Sequence, residues 1–328
     1  MQSRQRHTPV WLIAVGLASF ACSNTNGGEP SPSPSVCEGC VSVLSDSSLM
    51  PAAVAADANS VYVLKSQTSE ILAASLETKQ SRVLSDSVPH AVSLFLRNQS
   101  LWVTAYDPNN DSLWTVDTAT GATAPLPELT GLYAVALGPA NTPIAALRAN
   151  RSMRVVRLAD DGAIASILWE LDDTDDYFED FAAGPTGVAW ITSAPTAALL
   201  YFSSDMVAAP VPVKVRLAVV NTLTVANGTA SVLASTDGGR SVFTLSGSQL
   251  IEQSPLTAQP MGMRALGDSL LVTSQIGRDV SALDSSGKLL SSKTLSRPLN
   301  IPATSDARNV YLPLRDELAI FPRVESWL

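Results

Sequence analysis

Short stretches of alternating apolar residues recur along the chain at nearly constant spacing. Seven of them begin 40 to 45 residues apart, at positions 61, 101, 143, 188, 230, 270 and 310. Residues 61–64 (VYVL) and 101–104 (LWVT) are typical. A period of two predicts β-strands, because successive side chains of a strand point to opposite faces. No segment shows a sustained period of 3.6, so we expect almost no helix.

The residues around each stretch complete a repeating unit. A strand of small residues and a turn rich in Asn, Asp, Gly or Pro precede it, as in 224–229 (TVANGT). These residues suit short hairpins because they adopt positive or preset φ angles. A third strand, a second turn and a fourth strand follow. Four short strands per unit of about 40 residues are typical of a propeller blade. The sequence therefore predicts an all-β, seven-bladed β-propeller.

The two ends of the chain predict how the ring closes. The seventh unit stops after its third strand, at residues 317–324 (ELAIFPRV). Residues 41–54 (VSVLSDSSLMPAAV) resemble residues 81–92 (SRVLSDSVPHAV), which form a fourth strand and the start of the next blade. We therefore expect residues 41–47 to complete the last blade and to remove its open edge.

These patterns divide the chain into three parts. Residues 1–21 are predicted to be a signal peptide, residues 22–40 a linker, and residues 41–328 the propeller. The predicted blades are 51–88, 89–130, 131–175, 176–218, 219–258, 259–298, and 299–328 together with 41–50.

The N-terminus predicts export. Residues 10–21 form an apolar run of twelve, preceded by Arg4 and Arg6 and followed by Cys22. This run is too short to span a bilayer as a helix, and it resembles a cleaved leader. The residues before Cys22 resemble a lipobox, although Ser19 stands where an aliphatic residue is usual, so Cys22 is the predicted site of lipid attachment. The alternative is ordinary signal-peptidase cleavage, because Ser19 and Ala21 fit its preference for small residues.

The residues after Cys22 and the number of cysteines favour a lipid anchor at Cys22. Residues 23–36 (SNTNGGEPSPSPSV) are typical of a flexible tether. The chain has three cysteines. If Cys22 is acylated, Cys37 and Cys40 remain as a pair, and we predict a local disulfide between them. Redox, haem or zinc sites with this spacing would need further residues that are missing nearby.

The net charge of the chain argues against some classes of binding partner. The net charge is −9, and no Lys/Arg cluster is present. Such a chain lacks the basic surface of a nucleic-acid-binding protein. Anionic lipid would also repel it, so we expect membrane attachment through the lipid anchor alone. The predicted location is the cell envelope, at the outer membrane or in the periplasm, with secretion as the alternative, and we expect a monomer.

Two units resemble a known family. Residues 101–105 (LWVTA) and 113–121 (LWTVDTATG) are similar to the YVTN-type repeat, and residues 271–274 (LVTS) and 280–288 (VSALDSSGK) resemble it too. The resemblance is good in the second and sixth units and poor in the third to fifth. It implies a seven-bladed protein of the cell surface or periplasm, and it assigns no reaction.

One insertion concentrates acidic residues. Residues 169–180 (WELDDTDDYFED) hold seven carboxylates and lengthen one repeat to 45 residues. Carboxylates at this density are potential Ca²⁺ ligands, but the glycine and terminal Glu of an EF-hand loop are missing. A solvated acidic loop is the alternative. The candidate residues for binding a cation or a partner are Asp172, Asp173, Asp175, Asp176, Glu179 and Asp180.

Residues for catalysis are scarce. His90 is the one histidine after the leader, no nucleophile or metalloprotease motif is present, and the predicted inner strands have small apolar residues. We expect Trp102, Trp114 and Trp190 in the core between blades. The sequence favours a non-enzymatic envelope lipoprotein that binds an envelope protein or polysaccharide through its loops, without a cofactor. The alternative is a propeller enzyme of the lactonase or lyase type, with a cation at residues 172–180.

Overall fold

The structure of the chain is a computed structural model. It describes residues 35–328 except 107–110, 194–197, 204–209, 215–218, 237–238, 256–259, 275, 277, 307 and 323–328. The described strands form seven four-stranded antiparallel sheets, and one short 3₁₀ helix, Pro139–Asn141, is the only helix among them. No helix in the described part of the chain has the length and apolar character needed to cross a membrane.

The sheets are the blades of a propeller, and each has an inner and a second strand. The inner strands are β2 (Pro51–Ala56), β6 (Ala91–Arg97), β10 (Leu132–Leu137), β14 (Phe178–Gly184), β18 (Val219–Ala226), β22 (Pro260–Leu266) and β26 (Thr304–Ser305). The second strands are β3 (Ser60–Lys65), β7 (Ser100–Ala105), β11 (Pro143–Ala149), β15 (Gly187–Thr192), β19 (Thr229–Thr236), β23 (Ser269–Ser274) and β27 (Asn309–Pro313).

A third and an outer strand complete each blade. The third strands are β4 (Ile71–Ser75), β8 (Ser112–Asp117), β12 (Ser152–Leu158), β16 (Ala198–Ser203), β20 (Gly239–Ser246), β24 (Asp279–Leu283) and β28 (Glu317–Pro322). The outer strands are β5 (Ser81–Ser85), β9 (Thr123–Pro125), β13 (Ile164–Leu171), β17 (Val211–Lys214), β21 (Gln249–Pro255), β25 (Leu289–Thr294) and β1 (Val41–Ser45). The predicted seven-bladed propeller is confirmed.

Strand β1 closes the ring as predicted. It pairs with β28 in antiparallel register, with Val41 opposite Ile320 and Ser45 opposite Glu317. Val43 is 2% exposed and packs with residues of the first and last blades. The first and last segments of the propeller are thus joined by hydrogen bonds and by apolar packing.

Apolar clusters between adjacent blades hold the ring together. One cluster joins Leu64 and Ile71 of the first blade to Leu94 and Val103 of the second. Trp102 and Trp190 are buried in two further clusters of this kind, as expected, and Trp114 is partly buried. Because both surfaces of each blade are covered by its neighbours, second strands such as β3, β15 and β23 are buried almost throughout.

The connections between strands define two faces. On the loop face, second strands continue into third strands, and each outer strand leads to the next blade. On the turn face, tight turns join inner to second strands and third to outer strands. Asn227 and Gly228 form one such turn with φ angles of 47° and 69°, a conformation that Asn and Gly adopt most readily.

Residues 35–40 pack on the seam between the sixth and seventh blades. The backbone N–H of Ser296 donates to the carbonyl of Val36 at 2.9 Å. Val36 is 3% exposed, and the sulfur atoms of Cys37 and Cys40 are bonded. Residues 35–40 therefore belong to the compact unit, because Val36 has apolar surface to bury, whereas the sequence placed this segment in a linker.

Candidate functional site at the mouth of the central channel

A β-bulge recurs at the same place in six blades. In each inner strand of the first six blades, the register with the second strand skips one residue near the loop face; in β10, Leu132 pairs with Leu147 and Ala134 with Ala146. A bulge leaves the extra residue outside the ladder and redirects its side chain. The skipped residues, which we call the bulge ring, are Ala52, Val92, Tyr133, Glu179, Asn221 and Met261.

Large apolar side chains are exposed around this ring. Val219 is 56% exposed, Val92 51% and Tyr133 44%. We call the exposed aromatic and aliphatic residues of the loop face the apolar rim, and they are Val92, Tyr106, Tyr133, Tyr177, Val219 and Ile276. The other exposed large apolar residues of the described chain lie on outer strands, and the turn-face connections contribute none.

Two neighbouring members of the bulge ring touch each other. The hydroxyl of Tyr133 donates to the backbone carbonyl of Glu179 at 3.1 Å. The ring of Tyr133 lies 5.4 Å from that of Phe178, which is buried at the start of β14. Desolvation raises the pKa of Tyr133, and the negative charges of Asp180 and Glu179 raise it further. The charge of Glu179 likewise raises the pKa of Tyr177. Glu179 and Asp180 therefore place negative charge close to these two tyrosines.

Asp180 lies on β14 beside Glu179 and is held by backbone donors. Its Oδ1 accepts from its neighbour Phe181 N–H at 2.8 Å, and its Oδ2 accepts from Leu223 N–H in the next blade at 2.6 Å. The inner strand is the edge of its sheet, so some of its N–H groups have no ladder partner, and Asp180 satisfies one. Burial raises the pKa of Asp180, while these N–H groups and Arg264 oppose that shift.

Arg264 is the cation that interacts with Asp180. It lies on the inner strand β22. Its side chain is accessible to solvent, but it is closely surrounded by protein atoms. One guanidinium nitrogen donates to the carbonyl of Met263 at 3.0 Å. Burial lowers the pKa of Arg264, and the charge of Asp180 opposes this. The inner strands are therefore not uniformly small and apolar. That expectation suits β2 but is wrong for β10, which contains Tyr133, and for β14 and β22, which contain charged residues.

The acidic insertion is divided between two environments. Asp173 and Asp175 lie in the loop before β14, and both pair with the exposed Arg151, at 3.1 and 3.2 Å. Arg148 donates to the backbone carbonyl of Asp176 at 2.7 Å, and Asp172 is exposed. Two aromatic residues of the insertion also separate: Phe178 begins the inner strand, and Tyr177 belongs to the apolar rim.

Asp176 differs from its neighbours because it is fully buried. Its exposed fraction is 0%, and neither carboxylate oxygen has a hydrogen-bond partner. The predicted cation ligands do not converge on one point: within the described ranges, no three His, Cys, Asp or Glu side chains are placed to share a metal ion. Calcium binding at residues 172–180 stays a prediction of the alternative, enzymatic interpretation.

The remaining predicted residues have separate positions. Cys22, the predicted site of lipid attachment, lies outside the described residues. His90 is exposed on the loop face with a φ of 50°. Tyr133, Asn221 and Arg264 were not singled out from the sequence. The sequence does carry one signal for Arg264, because it is the one charged residue in a predicted inner-strand segment (MRAL).

Comparison with known proteins identifies the fold alone. The chain matches no protein-family model and no curated protein. Among solved structures, a streptogramin B lyase superposes with a TM-score of 0.62 at 12% identity, over 86% of this chain and 96% of that one. BamB from Moraxella catarrhalis gives 0.53 at 12% identity, over 84% and 83%. PorZ, a surface component of the type-IX secretion system of Porphyromonas gingivalis, gives 0.56 at 12% identity, over 85% of this chain and 37% of PorZ.

Proposed function

We propose that this protein is a non-enzymatic binding or scaffold protein of the cell envelope that holds its partner on the loop face. The observation that carries this proposal is the apolar rim around the bulge ring. Exposed apolar patches on soluble proteins mark interaction sites, and tyrosine is enriched where interfaces gain most of their affinity. Three of the rim residues are tyrosines, each at least 44% exposed.

The opposite face supports the same assignment. Its connections are tight hairpins whose Asp and Ser side chains bond to their own backbone, as Asp117 does with the N–H of Thr120 at 2.7 Å. Among the described residues, those turns expose no large apolar side chain. A partner gains less apolar contact there, so the loop face is the favoured surface.

Envelope location and lipid anchoring are part of the proposal. They rest on the leader, on Cys22 and on the tether-like residues after it. PorZ is described as a bacterial surface component, which agrees with this location. The partner is then an envelope protein or polysaccharide, at the outer membrane or in the periplasm. Membership of the YVTN-type family stays a prediction that rests on the motifs of the second and sixth blades.

Co-purification from native envelopes tests the role of the rim. The variant Tyr133→Ser combined with Tyr177→Ser removes two exposed rings from the loop face. We expect it to lose the partner that the wild type retains. The matched control is Ile167→Ser, because Ile167 is 51% exposed on an outer strand. Equal loss of the partner in the control would contradict the proposal.

A propeller enzyme of the lactonase or lyase type is the second candidate. The buried carboxylate of Asp176, which has no hydrogen-bond partner, favours it, because such a group is stabilised by a bound cation. The pairing of Asp173 and Asp175 with Arg151 counts against it, since those carboxylates already have a counter-charge. Binding through the loop face therefore has the stronger support.

A further inference from the structure

We infer that the channel mouth binds a basic side chain, lysine or arginine, of the partner at Glu179, between Tyr133 and Tyr177. The inference rests on the proposed function, since it names the chemistry that the same face would recognise. Three properties carry it: the geometry of the bulge ring, a carboxylate without a counter-charge, and two exposed aromatic rings.

The bulges bring the acid and the aromatic side chain together. Glu179 and Tyr133 are the extra residues of adjacent inner strands, and the Tyr133 hydroxyl donates to the Glu179 carbonyl at 3.1 Å. Both side chains are exposed. Tyr177 precedes β14 by one residue, and its hydroxyl forms a side-chain hydrogen bond with the Glu179 carboxylate. The arrangement is built by backbone pairing and therefore exists before any ligand arrives.

Glu179 has no ion-pair partner among the residues that the structure describes. The nearby cations of the third blade are already engaged, because Arg148 donates to backbone carbonyls of the insertion and Arg151 pairs with Asp173 and Asp175. Arg264 interacts with Asp180. The charge of Glu179 is thus left facing solvent without a counter-charge.

The aromatic rings fit an organic cation better than a metal ion. An ammonium or guanidinium group is attracted to the face of a tyrosine ring and to a carboxylate at the same time. The methylene stem of Lys or Arg would also pack against the apolar surface of the tyrosine rings. A divalent metal would instead need several oxygen ligands, and no cluster of three acids, His or Cys is found in the described ranges.

Binding of labelled peptides tests this inference. The probes are a fluorescein-labelled oligolysine, the same peptide with every lysine acetylated, and an oligoglutamate, each titrated at physiological ionic strength and followed by anisotropy. We expect the oligolysine to bind and the acetylated peptide and the oligoglutamate not to bind. Glu179→Gln should weaken oligolysine binding about tenfold by removing the charge-assisted contact. Tyr133→Leu, which keeps apolar area but removes the ring, should weaken it about threefold.

The control separates a local site from general attraction to an acidic protein. Glu77 is exposed in a turn of the opposite face, so Glu77→Gln removes the same charge elsewhere. We expect its affinity for oligolysine to equal that of the wild type, and thermal melting to show that all variants are folded. Equal weakening by Glu77→Gln and Glu179→Gln would overturn the inference, as would no binding of oligolysine. Equal binding of the acetylated peptide would also overturn it, while leaving the apolar rim and the proposed function intact.

Discussion

Two aspartates four residues apart, Asp176 and Asp180, show how position decides the role of a carboxylate. Asp180 accepts hydrogen bonds from two backbone N–H groups, one of them in the neighbouring blade. Asp176 is completely buried, and neither of its oxygens accepts a hydrogen bond. A buried carboxylate without partners is unfavourable, whereas one that satisfies edge-strand donors stabilises the contact between blades.

Replacing Asp176 should therefore stabilise the protein. We expect Asp176→Asn to raise the free energy of unfolding by about 1 kcal/mol, because a neutral amide loses less than a carboxylate on burial. Urea unfolding, with the exposed Asp172→Asn as control, measures this. We also expect millimolar Ca²⁺ to leave the melting temperature of the wild type unchanged. A rise in melting temperature with Ca²⁺ that Asp176→Asn abolishes would contradict this and favour the second candidate function.

The opposite result is expected at Asp180. Asp180→Ala leaves the N–H groups of Phe181 and Leu223 without their acceptor, which costs about 1–3 kcal/mol for buried donors. The expected decrease should appear in urea unfolding together with faster amide hydrogen exchange at Leu223. Unchanged exchange at Leu223 would show that its N–H does not depend on this carboxylate.

The residues that make the site were only partly predictable from sequence. Glu179 and Asp180 were singled out because acids are dense there, but the sequence placed both in one loop with Asp172. The bulge that separates their environments comes from strand pairing across the blade, and no local motif marks it. Tyr133 and Arg264 could not be predicted as site residues either. A single polar residue in an apolar strand does not show from sequence that it lies beside the channel.

At the scale of elements, the periodicity of the chain was sufficient to predict the strands and the blades. Alternating apolar residues and turn residues located the strands and the number of blades, because both depend on local geometry. The resemblance between residues 41–54 and 81–92 located strand β1. The packing of residues 35–40 was not predicted, because Val36 follows a segment rich in Ser and Pro that is typical of a linker.

Two truncations test the contribution of β1. A chain that starts at residue 46 loses the ladder with β28 and the buried side chain of Val43, and should lose more than about 3 kcal/mol of stability. A chain that starts at residue 35 keeps both and is the matched control. Thermal and urea unfolding compare the two. If both chains unfold at the same midpoint, the ring does not depend on β1 for closure.

At the scale of the whole molecule, the two faces of the propeller differ in what they offer a partner. The loop face combines the apolar rim with an uncompensated carboxylate at the channel mouth. The turn face has hairpins whose polar groups are satisfied internally. Three rim residues, Val92, Tyr133 and Val219, lie on inner strands, so this part of the rim is in place before a partner binds.

Site-specific photo-cross-linking in native envelopes tests the central claim most directly. A photoreactive residue is placed at Tyr177 on the loop face and, in a second variant, at Lys79 on the turn face, both of which are exposed. The account predicts a discrete cross-linked product from position 177 and none from position 79. A discrete product from position 79 with none from position 177 would show that the partner binds the opposite face, and would contradict the account.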